Sequence, residues 1–323
     1  MDANATAARS GAGGRAGTAG ASRSARPGAS RSAEAGASRS AVAARARVAA
    51  APPEAYFVVS AVFHYLGPAF AVLLFARVDV LGVAWLRIAS AAVIFALWRR
   101  PWRKVRGAGR LLLVWGAVLA VMNSTFYMAI DRLPLGTVAA IEFLPVIVLA
   151  ALGTRTVRNL AALALAVPGV YLLTDVALEG SALGVAFAFA NAALFAGYIV
   201  VSHRAAQRGD IPGIDLLGSA MLVAAVVATP IGAWAAVPAF GDPVAIVAGI
   251  GVGVSSSVIP YVTDQLAMAR MARSTYALMV ALLPAMATVI GVVVLAQLPS
   301  VLEAVGVALV IGGVAVHRDA DAR

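Results

Sequence analysis

The chain has 323 residues, of which 62% are hydrophobic and only 12% charged; a water-soluble domain carries about 25% charged residues, so most of this length cannot face water. The net charge of +10 sits in a tail and in short loops between apolar runs, which suits orientation in a membrane and not nucleic-acid binding. Cysteine is absent, which excludes disulfides, thiolate metal sites and a cysteine nucleophile.

Residues 1–53 differ from everything after them. They are almost entirely Ala, Gly, Ser and Arg, and an octad recurs three times, as ASRSARPG from Ala21, ASRSAEAG from Ala29 and ASRSAVAA from Ala37. Too little apolar mass is present to offset chain entropy, so the segment is expected to be a disordered basic cytoplasmic tail. It has no apolar core followed by a small-residue cleavage site and does not read as a secretory signal. An Arg/Ser-rich organellar transit peptide is the alternative.

From Tyr56 onward, apolar stretches of about 20 residues follow one another, the length a helix needs to cross a bilayer. They are placed at 56–76, 80–98, 111–130, 134–152, 157–174, 181–202, 214–237, 244–266, 274–296 and 299–316. Basic residues fall on alternate connections. Arg99, Arg100, Arg103, Lys104, Arg106 and Arg110 follow the second span. Arg155 and Arg158 follow the fourth, Arg204 and Arg208 the sixth, and Arg270 and Arg273 the eighth; Arg318 and Arg323 close the chain. Those 14 stand against Arg77 and Arg132 on the opposite side, which puts both termini in the cytoplasm and requires an even number of spans.

The segment MAIDRLPLGTVAAIEFLPVIVLA from Met128 matches AMARMARSTYALMVALLPAMATV from Ala267 in pattern, aligning Pro145 with Pro284. Span four then lies on span nine. Five helices per unit is an odd number, so the two units enter the membrane from opposite sides, the inverted-repeat plan of many secondary transporters. The expected fold is an all-α integral membrane protein of ten transmembrane helices in two inverted five-helix repeats. Residues 54–176 form the first repeat, 177–318 the second, and 319–323 a cytoplasmic end.

Two segments carry a resemblance. FYMAIDRLPLGTVAAIEFLPVIVLAALGTR (Phe126 to Arg155) and SSVIPYVTDQLAMARM (Ser256 to Met271) resemble the amino-acid exporter branch of the EamA family, in the drug/metabolite transporter superfamily, and most of all its threonine/homoserine exporters. The resemblance spans residues 56–316. It implies ten helices in two inverted repeats and efflux coupled to the proton gradient. The family pattern has a glycine before the proline that follows Glu142, where here Pro145 follows Leu144 directly. Leu283 stands where the family usually carries an acid.

Charges inside a bilayer are costly and are functional candidates by default. Glu142 lies about eight residues into span four and Arg87 about seven into span two, both from the outer end, so each sits ~10–12 Å deep. A zwitterionic amino acid needs an anion for its ammonium and a cation for its carboxylate. Glu142 and Arg87 supply both, and a proton on Glu142 can exchange with substrate. The plainer readings are a Glu142–Arg87 ion pair that ties two helices together, or an Arg87 that reaches outward to the interface. Asp264, near the cytoplasmic end of span eight, reads as an interfacial cap or partner of Arg270, or else as an inner-gate acid.

Pro145 and Pro284 each free a backbone carbonyl at membrane depth, tolerable where that group lines a cavity. Among the polar residues at that depth, Asn123, Tyr127, Asn191 and Tyr261 are selected for a polar pocket, although such groups also serve as interhelical hydrogen bonds. Gly249, Gly251 and Gly253 lie within an apolar span with no preceding strand and are no phosphate loop. His64 lies inside span one, as a packing or proton-sensitive group; His203 and His317 fall at cytoplasmic ends, and no metal-ligand spacing occurs.

The span pattern predicts a secondary active transporter in the bacterial cytoplasmic membrane, and the resemblance implies that it exports small polar metabolites such as neutral amino acids by proton-coupled alternating access. Its partners are the metabolite, protons, membrane lipid and, as a homodimer, a second copy; no cofactor and no nucleic acid is implied. The rival readings are a broader drug or metabolite efflux carrier, an integral-membrane enzyme, and a sensor whose basic tail does the work.

Overall fold

The computed structural model describes residues 52–103, 109–153, 156–206, 211–268 and 283–316. The tail, the end of the chain and several loop residues, including Lys104, Arg270, Arg273 and His317, lie outside the described residues. Every described element is helical. α1 is Pro53–Leu74, α2 Val80–Arg99, α3 Gly109–Ile130 and α4 Leu135–Gly153. Val157–Ala206 is one hydrogen-bonded run that Ser181 interrupts with an extended backbone, φ −161° and ψ 91°, giving α5 (157–180) and α6 (181–206). α7 is Gly213–Ala235. α8 runs Pro243–Gly253, widens into a π-helical turn at Val254–Val258 and continues over Ile259–Met268. α9 is Leu283–Leu295 and α10 Val301–Val316.

Six of these are long and apolar enough to cross a membrane, namely Glu54–Leu74, Val80–Arg99, Gly109–Ile130, Ser181–Val201, Gly213–Ala235 and Pro243–Asp264. Shorter apolar helices cover Leu135–Pro145, Val157–Leu173, Leu283–Leu295 and Val301–Gly313. The all-helical membrane class expected from the sequence is thus what is found.

Local chemistry sets the helix ends. Asp79 caps α2 by accepting from Leu81 N at 2.9 Å. Asp242 caps α8 by accepting from Val244 N at 2.9 Å and Ala245 N at 3.3 Å, with Pro243 in the first turn, where its missing N–H does no harm. Ser300 and Glu303 form a reciprocal box on α10: Ser300 N donates to Glu303 Oε2 at 2.8 Å, and Glu303 N donates to Ser300 Oγ at 3.2 Å. α4 has its cap supplied from a distance, since Leu135 N donates to Gln297 Oε1 at 3.0 Å.

Helices in lipid gain little from the hydrophobic effect on meeting one another, so small residues that admit close backbone contact dominate the seams. α5 meets α10 at Gly169 and Gly306, where a Cβ on Gly169 would lie 2.8 Å from the Gly306 carbonyl. α3 meets α7 at Gly116, 2.8 Å by the same measure from the Ala220 carbonyl, and α2 meets α7 at Gly82, 2.6 Å from that of Ala235. Large apolar side chains such as Val226, Trp234, Val247 and Val293 point outward, as lipid requires.

Two ion pairs tie the early helices to the later ones. Arg99, ending α2, grips the buried Asp215 in the first turn of α7, Nε to Oδ1 at 2.7 Å and Nη2 to Oδ2 at 3.2 Å. At the other end of α2, Arg77 donates to Asp242 Oδ2 at 2.9 Å. That hydrogen bond, with the backbone N–H of Ala245, holds the Asp242 carboxyl below its ordinary range.

Candidate functional site

α1, α2 and α8 come closest at the π turn. A Cβ on Gly67 of α1 would lie 2.6 Å from Ser256 N and overlap the Ser256 hydroxyl. A Cβ on Gly253 of α8 would lie 2.8 Å from the Arg87 carbonyl and overlap the Ser90 hydroxyl. The turn also has a local cause. Pro260 has no N–H to give to the carbonyl four residues earlier, that of Ser256. Arg87 Nη2 donates to this carbonyl at 3.0 Å, while its Nε donates to Ser257 Oγ at 2.9 Å. The guanidinium lies 5.3 Å from the centre of the Tyr127 ring.

Arg87 is therefore neither directed to an interface nor paired with Glu142. Among the described residues the two share no hydrogen bond or ion pair, although the Arg87 charge acts on the carboxyl through space. Glu142 instead accepts from Asn191 Nδ2 of α6, at Oε1 and 3.0 Å. Each charge sits seven residues into its helix, from Val80 and from Leu135, which is ~10 Å along the axis. They are 5% and 7% exposed, so the pair is sealed from solvent in this conformation.

Of the pocket residues selected from sequence, Tyr127, Asn191 and Tyr261 are brought to these charges. Tyr261 lies within electrostatic reach of Arg87, Glu142, Asp264 and Tyr127, and its ring meets the edge of His64 at 6.5 Å. His64 also edges Tyr65 at 5.6 Å, so it packs among aromatics. Asn123 is buried, but its Nδ2 donates within its own helix to the Leu119 carbonyl at 2.7 Å. Asp264 is half-buried, near Tyr198 and Tyr261; Arg270, its suggested partner, lies outside the described residues. Phe143 meets Phe195 edge-on at 6.1 Å, and Phe195 stacks on Tyr198 at 6.0 Å, giving an aromatic wall beside Glu142.

Pro145 lies within α4, which continues to Gly153, and leaves the Ile141 carbonyl without its helical donor. Pro284 is the second described residue of α9; the turn before it lies outside the described residues. α4 and α9 do meet, at Gly136 and Thr288.

Three buried polar atoms near the charges have no hydrogen-bond partner: Tyr127 OH, Ser256 Oγ and Asn191 Oδ1. The Tyr127 hydroxyl lies near both the Ser256 hydroxyl and the Arg87 guanidinium, but neither approach meets hydrogen-bond geometry. Buried polar groups are nearly always satisfied, so this concentration makes the cluster the candidate site. Ser256 and Ser257 are not among the pocket residues selected from sequence; the signal that could have found them is three consecutive serines within an apolar span shortly before Pro260.

Two open cavities among the described residues lie elsewhere. One of about 150 Å³ is lined by Thr137, Thr288, Gln297 and Glu303 among others. Another of about 210 Å³ is a mostly apolar groove between α2, α3 and α7. Neither includes Arg87 or Glu142. The charges and the unpartnered atoms locate the candidate site, because concavity alone finds the grooves between tapering helices.

An all-helical bundle with six helices long and apolar enough to cross a bilayer, and with opposite charges sealed inside it, defines a multi-pass membrane protein. The EamA-like transporter family profile matches residues 182–317. The threonine/homoserine exporter RhtA of Escherichia coli (strain K12) is 32% identical over 237 residues, which are 72% of this chain and 79% of the exporter. RhtA of Salmonella typhimurium (strain SL1344) matches with the same figures. One solved crystal structure, 18% identical, shares the fold with a TM-score of 0.55, covering 81% of this chain and 96% of its own. The chain belongs to the EamA-like transporter family and is a membrane transporter, not an enzyme.

Proposed function

We propose that this protein exports small polar metabolites, in particular neutral amino acids such as threonine or homoserine, across the bacterial inner membrane by proton-coupled alternating access. Ten crossings in two inverted five-helix repeats, with both termini cytoplasmic, complete the reading. Supporting it are the 14-to-2 asymmetry of basic residues, the meeting of α4 with α9, and the two exporters that the sequence resembles.

One observation carries the proposal: Arg87 and Glu142 are buried at matching depth and held apart. Two opposite charges left in a low-dielectric interior gain most by pairing with each other. Here the π turn of α8 occupies Arg87 and Asn191 occupies Glu142, so each charge remains available to a third party. A substrate ammonium binds at Glu142, and a proton taking its place there releases it. Coupling thus follows from competition of two cations for one carboxylate.

The test is accumulation of labelled neutral amino acids in inverted membrane vesicles, with and without an imposed proton gradient. Gradient-driven accumulation of threonine or homoserine is expected, falling to background in Glu142→Gln, which keeps the shape of the side chain. Accumulation that survives Glu142→Gln makes Glu142 structural, and a panel without any accumulated amino acid sinks the substrate assignment.

A further inference from the structure

We infer that the π turn of α8, with Arg87 and Tyr127, forms a carboxylate subsite, so that substrates are recognised as α-amino-acid zwitterions and not as amines or neutral polar solutes. The inference rests on the amino-acid reading above and assigns Ser256, Ser257 and Tyr127 parts in it.

A guanidinium has five N–H donors. Arg87 uses Nε on Ser257 Oγ and one Nη2 hydrogen on the Ser256 carbonyl. Among the described residues the other three hydrogens have no acceptor in hydrogen-bond geometry, the Tyr127 hydroxyl lying nearby. Beside them stand two further hydroxyls, Tyr127 OH and Ser256 Oγ, buried and without partners. Among the described residues no carboxylate forms an ion pair with this cluster, and Glu142 is bonded to Asn191. Unsatisfied donors around a fixed guanidinium fit a planar two-oxygen anion, which accepts a forked pair from Arg and still has lone pairs for hydroxyls.

The orphan at the other charge has the opposite character. Asn191 Oδ1 can only accept, and it lies with Glu142, so that end is short of donors; an ammonium supplies them. The π turn is what fixes the arrangement. It turns the Ser256 carbonyl and the Ser257 hydroxyl toward Arg87, and single π turns inside α-helices are frequent at functional sites. Ser257 is thus a positioning residue for Arg87, while Ser256 and Tyr127 touch the carboxylate.

The experiment is competition against labelled L-threonine uptake in inverted vesicles by unlabelled L-threonine and by L-threoninamide, in which an uncharged carboxamide replaces the two-oxygen anion. In the wild type the amide should compete about ten-fold more weakly or worse, as loss of a charge-assisted hydrogen bond implies. Tyr127→Phe and Ser256→Ala should each weaken threonine about ten-fold, leave the amide unchanged, and leave the ligand-free unfolding midpoint in detergent unchanged or raised. That last expectation separates a binding role from a packing role, since neither hydroxyl makes a hydrogen bond of full geometry in the ligand-free structure. Variants that weaken threonine and its amide alike, or that lower the midpoint, overturn the subsite. Wild-type vesicles that transport threonine but treat the amide as its equal overturn the subsite alone. If the vesicles take up no neutral amino acid, the amino-acid reading fails and the subsite falls with it.

Discussion

At the scale of single residues, the buried charges divide into those that hold the bundle and those that do not. Asp215 is fully buried and gripped by Arg99, whose side chain is 28% exposed. The two partners are therefore unequal. Arg99→Ala strands a carboxylate in the interior and should destabilise by about 3 kcal/mol or more. Asp215→Asn should do less, because the arginine head can extend toward the interface. Unfolding midpoints in detergent check the order; a larger loss in Asp215→Asn would contradict it. Arg87 and Glu142 have no such mutual grip, and so their removal should be felt in transport more than in stability.

At the scale of elements, α8 carries the argument. Its two halves are ordinary α-helix, and the π turn between them is wedged against α1 and α2 with a glycine on one side of each contact, Gly67 of α1 against Ser256 and Gly253 of α8 against Arg87 and Ser90. Gly253→Ala should then destabilise by about 1–3 kcal/mol, the usual result of overpacking, because the obstruction includes the Arg87 carbonyl, a backbone atom that cannot swing away. Gly251, two residues earlier on the same helix, has open space where its Cβ would be. Gly251→Ala should be neutral or stabilise by up to about 1 kcal/mol through helix propensity. Thermal unfolding of the two variants side by side is the measurement, and equal destabilisation would mean that close packing at the π turn is not what selects glycine there. An apolar run broken only by serines and a proline shows a helix from its sequence; whether it closes as α or π depends on which backbone lies against it.

At the scale of the whole molecule, the distribution of basic residues sets the proposed orientation. A reporter enzyme active only outside the cytoplasm should be active when fused after Asp131, in the connection ahead of α4, and inactive when fused after Arg323. Activity of the C-terminal fusion would mean an odd number of crossings or reversed insertion.

The sequence by itself determined that the chain is an all-helical membrane protein and that Glu142 and Arg87 are its unusual interior charges. Both follow from properties each segment carries alone: a run of about 20 apolar residues satisfies its own backbone as a helix, and an ion within such a run is conspicuous wherever the helix packs. Only the tertiary structure decided which partners the charges take. Helices apolar on all sides carry no stripe to say which face meets which neighbour. Whether Arg87 and Glu142 at matching depth form an ion pair is therefore not legible until Arg87 is seen bonded to α8 and Glu142 to Asn191. The Arg99–Asp215 and Arg77–Asp242 pairs, the tertiary cap from Gln297 and the unpartnered hydroxyls of Tyr127 and Ser256 were hidden for the same reason: each depends on residues far apart in sequence being brought face to face.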